Sequence, residues 1–262
     1  MTKDSDAGAV RLAIEGQVAT LLFDRPSARN AMTWQMYEDF HDHCRTLLKA
    51  QDLRAVILRG AGGRAFIAGS DIAQFRDVQT GADGIAYERK METYLAALAG
   101  IPVPTLAVIE GFAVGGGLNI AACCDIRIAT RTARFGVPIA RTIGNCLSLA
   151  NYARLVAGFG EGRARRMLLL GDLLDAEEAQ NSGFLSALCD PQDVSETIDK
   201  TVTRLLANAP LSLRASKAAF GRVLQGGHDE AEDLIASCYG SADFREGVAA
   251  FAERRPARWE GR

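Results

Sequence analysis

The chain has 262 residues, of which 48% are hydrophobic and 24% charged, a composition typical of soluble globular proteins and unlike that of disordered, collagen-like or coiled-coil chains. Its 30 basic and 32 acidic residues leave a formal net charge of −2, so no strong positive field predicts binding to nucleic acid or to an anionic membrane. No apolar run approaches the length of a membrane-spanning helix and the polar N-terminus is unlike a signal peptide, so we expect a cytoplasmic protein.

The first half of the chain alternates short apolar runs with amphipathic segments, which predicts an α/β fold with parallel strands. Gly16 separates the first two apolar runs and predicts a hairpin. Thr33 is placed to cap a helix that reaches about Gln51, because apolar residues recur after it at helical spacing. The remaining predicted strands cover residues 54–60, 105–111 and 125–130, and the remaining predicted helices cover residues 87–100 and 118–124.

From about Leu147 onward the predicted elements are almost all helices, and only residues 184–188 resemble a strand. Several of these helices have wide apolar faces, which predicts that they pack on the first half of the chain or on a neighbouring subunit. The predicted helices cover residues 148–158, 160–170, 175–182, 193–207, 211–224 and, with interruptions, 229–254.

Two glycine-rich segments, at residues 60–71 and 115–117, each follow a predicted buried strand and lead into a helix. Glycine lets the backbone approach a ligand closely, and the N-terminus of a helix presents unpaired N–H groups to it. Two such ends could converge on one carbonyl oxygen and stabilise negative charge there, as an oxyanion hole does. The glycines could instead only permit close packing of helix on strand. Neither segment has the spacing of a P-loop or of a dinucleotide-binding fingerprint.

Six segments, in order along the chain, are characteristic when they are taken together. They are DRPSARNAM (24–32), AFIAGSDI (65–72), EGFAVGGGLNIAACCDIRIAT (110–130), ARFGVP (133–138), LLLGDLLDAEEAQNSGFL (168–185) and ADFREGVAAFAERRPARW (242–259). This combination resembles the crotonase superfamily, also called the enoyl-CoA hydratase/isomerase family, over nearly the whole chain. The resemblance implies a spiral of ββα units over residues 1–190 and a helical trimerisation region over residues 191–262, with assembly as a homotrimer or a dimer of trimers.

The resemblance also implies a substrate and a binding site. Members of this family bind acyl-CoA thioesters, so coenzyme A would enter as part of the substrate and no tightly bound cofactor is expected. The thioester oxygen would accept hydrogen bonds from the backbone N–H groups of Ser70 and Gly116. The residues implied for binding the coenzyme A portion are Arg25, Arg29, Ala31, Arg64, Ala68, Asp71 and Ile72. The three arginines are candidates for the phosphates, although each could equally be a solvated surface residue.

The chain departs from this family at the two positions where its hydratases carry catalytic glutamates. Here those positions hold Asn119 and Ile139. An amide can orient a water molecule but cannot act as a base at neutral pH, and isoleucine can do neither. The usual hydration mechanism with two glutamates therefore cannot operate unchanged, because it needs groups that take a proton from water and give one to carbon.

Two polar residues near the missing second glutamate are further candidates for the catalytic site. The segment TIGN, followed by ARLVAG, resembles the 4-chlorobenzoyl-CoA dehalogenase branch, whose nucleophilic aspartate lies at or beside the position of Asn145. An amide is a poor nucleophile, so dehalogenation by that route is not expected. Arg141 could bind a substrate carboxylate or stabilise a charged intermediate, but it could also form a salt bridge within the protein.

The six cysteines show neither a CxxC pair nor the spacing of a disulfide framework, which predicts reduced thiols and no structural zinc site. Cys123, Cys124 and Cys146 lie near the candidate site, but no histidine is close to them in the sequence. Cys123 and Cys124 have apolar neighbours, so we expect inert buried thiols there.

The best functional hypothesis is an acyl-CoA enzyme of the hydratase/isomerase type, a lyase or isomerase that acts through a stabilised thioester enolate. One alternative is a decarboxylase or C–C lyase for a carboxylated acyl-CoA, because that chemistry needs less base and Arg141 could hold the carboxylate. A second alternative is a CoA-ester-binding protein with little catalysis of its own.

Overall fold

The computed structural model describes residues 7–224 and 231–262, and its strands form two sheets. In chain order the strands are β1 (Ala9–Glu15), β2 (Val18–Asp24), β3 (Ala55–Gly60), β4 (Ala65–Ile67), β5 (Thr105–Ile109), β6 (Phe112–Val114), β7 (Ile126–Thr130), β8 (Arg134–Gly136), β9 (Leu174–Asp175) and β10 (Ala187–Cys189). The predicted hairpin around Gly16 is confirmed, because β1 and β2 pair antiparallel.

The larger sheet has six strands in the order β1-β2-β3-β5-β7-β10, and all of its neighbours except β1 and β2 run parallel. The smaller sheet has four strands in the order β4-β6-β8-β9, with only its last pair antiparallel. The chain therefore visits the larger sheet and then the smaller one in each repeat, as β3–β4, β5–β6 and β7–β8. This alternation, with a helix after each pair of strands, is the predicted succession of ββα units.

The helices surround the two sheets and make up most of the second half of the chain. They are α1 (Trp34–Leu47), α2 (Gly81–Ala99), α3 (Gly116–Cys123), α4 (Ile139–Thr142), α5 (Leu149–Phe159), α6 (Glu161–Arg165), α7 (Ala176–Asn181), α8 (Val194–Ala207), α9 (Pro210–Leu224), α10 (Glu232–Tyr239) and α11 (Ala242–Glu253). None of the helices in the described residues is long and apolar enough to cross a membrane.

Several boundaries differ from the sequence-based predictions. Helix α1 ends at Leu47 rather than near Gln51, because the chain turns there and buries Leu53 before β3 begins. The predicted helix over 160–170 is α6 followed by a π-helical turn at Arg166–Leu170. The predicted helix over 229–254 is divided into α10 and α11, and residues 229–230 lie outside the described part of the chain.

A cluster of three phenylalanines connects the two sheets with α1. Phe23 of β2 lies with its ring centroid 5.7 Å from Phe40 of α1 and 5.6 Å from Phe66 of β4, and all three side chains are fully buried. Burial of each ring contributes roughly 2–3 kcal/mol to folding. The cluster holds the short strand β4 in place, so it also fixes the residues that follow β4.

The C-terminal helices are joined to the α/β half by polar contacts. Lys217 of α9 donates to Asp125 Oδ2 at 2.7 Å and to the Val103 carbonyl at 3.0 Å. Asp125 precedes β7 and also accepts hydrogen bonds from the backbone N–H and the hydroxyl of Thr105 at the start of β5. One carboxylate therefore ties the ends of two neighbouring strands to α9.

The N-cap of α1 offers a direct test of this description of the fold. Thr33 Oγ1 accepts a hydrogen bond from the Met36 backbone N–H at 3.2 Å. We expect Thr33→Ala to lower the free energy of unfolding by about 1 kcal/mol, because it leaves that N–H without its cap. Thr33→Ser keeps a hydroxyl at this position and should stay close to the wild type. Denaturant unfolding followed by circular dichroism measures both, and equal stability of the alanine and serine variants would contradict the cap.

Candidate active site

A cavity of about 190 Å³ lies where the carboxyl ends of β4 and β6 meet helices α1, α2, α3 and α4. Most of its wall is apolar, with Phe75, Met91, Leu95, Ile120 and Leu147 among the lining residues. An apolar cleft with a few polar groups is the usual form of a small-molecule site. The lining includes the sequence-predicted residues Ala68, Ser70, Ile72, Gly116, Asn119, Ile139 and Asn145.

The two glycine-rich segments lie side by side at one end of this cavity. Strands β4 and β6 are parallel neighbours, so the residues that follow them leave the same edge of the sheet. A Cβ atom placed on Gly116 would lie 3.2 Å from Ser70 Oγ, and one placed on Gly115 would lie 3.8 Å from the Gly69 Cα. The two segments therefore lie next to each other, as convergence on one acceptor atom would require.

Both segments present backbone N–H groups that have no acceptor in the part of the chain that the structure describes. Gly116 is the first residue of α3, where a helix leaves its N–H groups unpaired, and Gly115 makes the turn into the helix with a φ of 55°. Within residues 7–224 and 231–262, neither the Ser70 N–H nor the Gly116 N–H donates to a protein acceptor. Two neighbouring donors are thus available to an acceptor atom that enters the cavity.

The side chain of Ser70 belongs to a network of hydroxyl groups. Its Oγ lies 2.8 Å from the Tyr37 hydroxyl of α1 and 3.2 Å from the Tyr87 hydroxyl of α2. Burial is the main cause that raises the pKa of both tyrosines, so both phenols stay protonated at neutral pH. The sequence analysis missed both tyrosines, because nothing in the sequence shows that α1 and α2 meet at Ser70.

Two buried amide oxygens in the cavity have no hydrogen-bond donor among residues 7–224 and 231–262. The Oδ1 atoms of Asn119 and Asn145 are buried, and neither accepts a hydrogen bond within the part of the chain that the structure describes. Asn119 is 6% exposed and lies on α3, one turn after Gly116. A buried acceptor without a partner is rare in native proteins and suits a donor supplied by a ligand or a water molecule.

Glu88 is a carboxylate in the cavity wall that the sequence analysis did not identify. It is half-buried, and its Oε2 accepts a hydrogen bond from the Ser148 backbone N–H at 2.9 Å. Burial raises the pKa of Glu88, as does the nearby Glu92. A signal was present in the sequence, because residue 88 stands three and seven positions before Met91 and Leu95 and so shares their apolar helix face.

Two of the residues predicted to bind coenzyme A, Arg25 and Asp71, contact each other. Arg25 Nη1 lies 2.6 Å from Asp71 Oδ2 and 3.2 Å from the Ala31 carbonyl oxygen. Asp71 Oδ1 accepts from the Ala73 N–H at 2.9 Å and so caps the 3₁₀ turn Ile72–Phe75. The Ala73 N–H and the Arg25 guanidinium lower the pKa of Asp71.

The other arginines predicted for the site lie apart from the cavity wall. Arg29 and Arg64 are exposed, and the Arg29 guanidinium lies 5.2 Å from the centre of the Phe112 ring. Arg141 of α4 is exposed, packs against Gly171 and does not line the cavity. The alternative role in a salt bridge is not found either, because none of the ion pairs among the described residues includes Arg141.

The cysteines give no sign of a reactive thiol in the wall of the cavity. Burial raises the pKa of Cys123 to about 11 and raises that of Cys124 as well, so both thiols are protonated at neutral pH. Cys146 is exposed. Across 7–224 and 231–262, no group of three or more histidine, cysteine, aspartate or glutamate side chains is placed to hold a metal ion.

Comparisons with known proteins agree with this architecture. The family model described as enoyl-CoA hydratase/isomerase matches residues 13–262. The short-chain-enoyl-CoA hydratase of Clostridium acetobutylicum is 30% identical over 250 residues, which cover 94% of this chain and 95% of that protein. The (E)-benzylidenesuccinyl-CoA hydratase of Thauera aromatica is 30% identical over 256 residues, covering 96% and 99%. The solved structure of an enoyl-CoA hydratase/carnithine racemase from Magnetospirillum magneticum has a TM-score of 0.89 and 31% identity, covering 97% and 96%.

The pair of Arg25 and Asp71 predicts a stability that depends on pH. Because the folded protein lowers the pKa of Asp71, its ionised carboxylate stabilises the fold above the ordinary pKa of about 4, and this contribution is lost as the pH falls through the lowered value. We expect Asp71→Asn to reduce the free energy of unfolding by about 1 kcal/mol at pH 7, since the amide can still cap but cannot pair with Arg25. Denaturant unfolding at pH 7 and at pH values below 4 measures the difference. A loss that did not shrink at low pH would contradict this role.

Proposed function

The chain belongs to the enoyl-CoA hydratase/isomerase family, and on this premise we propose that it binds an acyl-CoA thioester and stabilises an enolate with the backbone N–H groups of Ser70 and Gly116. The observation that carries the proposal is the pair of unpartnered N–H groups, which lie side by side at one end of a largely apolar cavity. A thioester oxygen placed between them would accept two hydrogen bonds, while the acyl chain would occupy the apolar part of the cavity.

The two donors matter because of where charge develops in this chemistry. Loss of a proton from the α-carbon, or attack at the β-carbon, places negative charge on the thioester oxygen. A pre-positioned donor at such an oxygen lowers the activation free energy by about 3–4 kcal/mol. The same hydrogen bond would lower it less in water, where charges are screened. The hydroxyl of Ser70 is already engaged by Tyr37 and Tyr87, so the proposed donor at this residue is its main-chain nitrogen.

The coenzyme A portion of the substrate would leave the cavity past Ala31, Ala68 and Ile72. The side chain of Ile72 is 60% exposed, although the residue also lines the cavity, which places it at the mouth. Arg29 and Arg64 are exposed and remain our candidates for the phosphates. Arg25 differs from them, because its guanidinium already pairs with Asp71.

The reaction proposed here does not use the two-glutamate route. Asn119 and Ile139 both line the cavity, so neither position supplies a carboxylate. The unpartnered oxygens of Asn119 and Asn145 are suited to hold a water molecule or a hydroxyl group of the substrate. No observation favours the decarboxylase alternative, since the arginine on which it depends lies outside the cavity wall.

We also propose that the chain assembles as a homotrimer or a dimer of trimers. The support is a set of large apolar side chains that α9 and α11 leave exposed in the single chain, namely Phe220, Val223, Leu224, Val248 and Phe251. Phe251 is 88% exposed. Monomeric proteins rarely expose so many large apolar groups together, and burial against a second copy would remove them from water.

Substitution of Ser70 tests whether its main-chain nitrogen is the donor. Ser70→Pro deletes the N–H, and this nitrogen makes no hydrogen bond in the described chain that the change would break. We expect at least about a 100-fold loss in the rate of α-proton exchange of an acyl-CoA in D₂O, measured by NMR. Ser70→Ala keeps the N–H and should lose much less. Equal losses in the two variants, both confirmed to be folded by circular dichroism, would contradict the proposal.

A double substitution tests the effect of the missing carboxylates. We expect Asn119→Glu combined with Ile139→Glu to raise the hydration of crotonyl-CoA at least about tenfold, because it restores groups that transfer protons to and from water and carbon. The variant with glutamine at both positions is the matched control, as it has nearly the same shape but no charge. Loss of the enoyl absorbance measures the rate, and no gain in the folded glutamate variant would show that these positions do not govern hydration.

A further inference from the structure

We propose that Glu88 is the catalytic residue that transfers protons in this cavity, in place of the carboxylates absent from positions 119 and 139. This inference rests on the proposed function, because it needs an acyl-CoA whose α-carbon lies beside the Ser70 and Gly116 amides. The assignment comes from the place of Glu88 in the cavity wall and from its contacts.

Glu88 is the only acidic side chain among the lining residues in the described ranges. It reaches the cavity from α2, whose residues Met91 and Leu95 line the same wall. A charged side chain on an apolar helix face forfeits hydration, and natural proteins keep such groups mainly where they act. The packing of α2 therefore does not explain why a carboxylate is present at position 88.

The contacts of Glu88 hold one carboxylate oxygen and leave the other available. Oε2 accepts from the Ser148 N–H, whereas Oε1 has no protein partner within residues 7–224 and 231–262. No lysine or arginine of these residues pairs with Glu88 either. Arg154 of α5 lies nearby but pairs with Glu92, one turn further along α2, at 2.6 and 3.0 Å. The carboxylate is thus oriented without being neutralised.

Burial and the charged groups that face Glu88 shift its pKa upward. Tyr37 faces it from α1, Tyr87 and Glu92 share its helix, and Arg154 faces it from α5 behind Glu92. The phenols stay protonated. Burial and the negative Glu92 raise the pKa of Glu88, the Ser148 N–H lowers it, and the net shift is upward. A base is most effective when its pKa lies near the working pH, so this shift suits general base catalysis.

The proposed step conserves atoms and electrons and needs no further reactant. A carboxylate oxygen of Glu88 takes the α-proton, the electron pair of the C–H bond forms the carbon–carbon double bond of the enolate, and the carbonyl π pair moves to the thioester oxygen. The protonated Glu88 then returns the proton to the α-carbon, which restores the ester. With a β,γ-unsaturated acyl-CoA, return to the γ-carbon moves the double bond into conjugation with the thioester.

The test uses the full-length protein with butanoyl-CoA as the probe. Exchange of its α-protons in D₂O is followed by NMR, and binding of the same ester by calorimetry. We expect Glu88→Gln to lower the exchange rate at least about 100-fold while the dissociation constant stays near the wild-type value. Glu88→Asp should keep part of the rate. Glu92→Gln is the matched control, since it removes a carboxylate one turn away that does not line the cavity. It should retain exchange, with the pH dependence moved to lower pH because Glu92 raises the pKa of Glu88.

The pH dependence adds a readout that a purely structural role would not change. In the wild type the exchange rate should rise with pH as Glu88 loses its proton, with an apparent pKa above the ordinary glutamate value of 4.5. This rising limb should be absent in Glu88→Gln.

The possible outcomes separate this inference from the function on which it rests. Full exchange in Glu88→Gln, together with loss in Ser70→Pro, would overturn the role of Glu88 and leave enolate stabilisation intact. Equal losses in Glu88→Gln and Glu92→Gln would also overturn it, because both losses would then come from a displacement of α2 and not from the removal of a base. A wild-type protein that binds butanoyl-CoA without any exchange would overturn the proposed function itself.

Discussion

The parallel pairing of β4 with β6 is the constraint on which the rest of the site depends. Ala65 lies opposite Phe112 and Ile67 opposite Ala113, so both strands end at the same edge of the smaller sheet. Helix α3 then packs so tightly on β4 that a Cβ atom on Gly117 would lie 2.2 Å from the Ile67 carbonyl oxygen. Only glycine allows this approach, and the approach is what brings the Ser70 and Gly116 amides to one cavity.

The cavity contains more unpaired polar groups than folding alone would favour. Among the described residues, the N–H groups of Ser70 and Gly116 have no acceptor. The buried oxygens of Asn119 and Asn145 have no donor there, and the Glu88 carboxylate in the cavity wall has no counter-ion. Each buried group left unsatisfied costs about 1–3 kcal/mol. Burial of the phenylalanine cluster around Phe23 and Phe66 offsets this loss of folding free energy. A concentration of unpaired polar groups in one place is characteristic of a binding site rather than of a core.

The strong local signals in the sequence predicted much of the fold. The cap at Thr33, the hairpin at Gly16 and the helix after the three glycines are all confirmed. Strands β4, β6 and β8 escaped prediction because three residues are too few to show an alternating pattern. Glu88 escaped it for another reason. Its spacing places it on the apolar face of α2 with Met91 and Leu95, but only the neighbours in space show that this face lines a cavity.

The donors proposed for the thioester oxygen are atoms of the main chain, and this has an evolutionary consequence. No side-chain replacement except proline can delete a backbone N–H, so mutation can change the neighbouring side chains without dismantling the donor pair. The groups that handle protons or water come from other elements, α2, α3 and α4. Proteins with this fold can therefore change the reaction that they catalyse by a few substitutions and still bind the same class of ester.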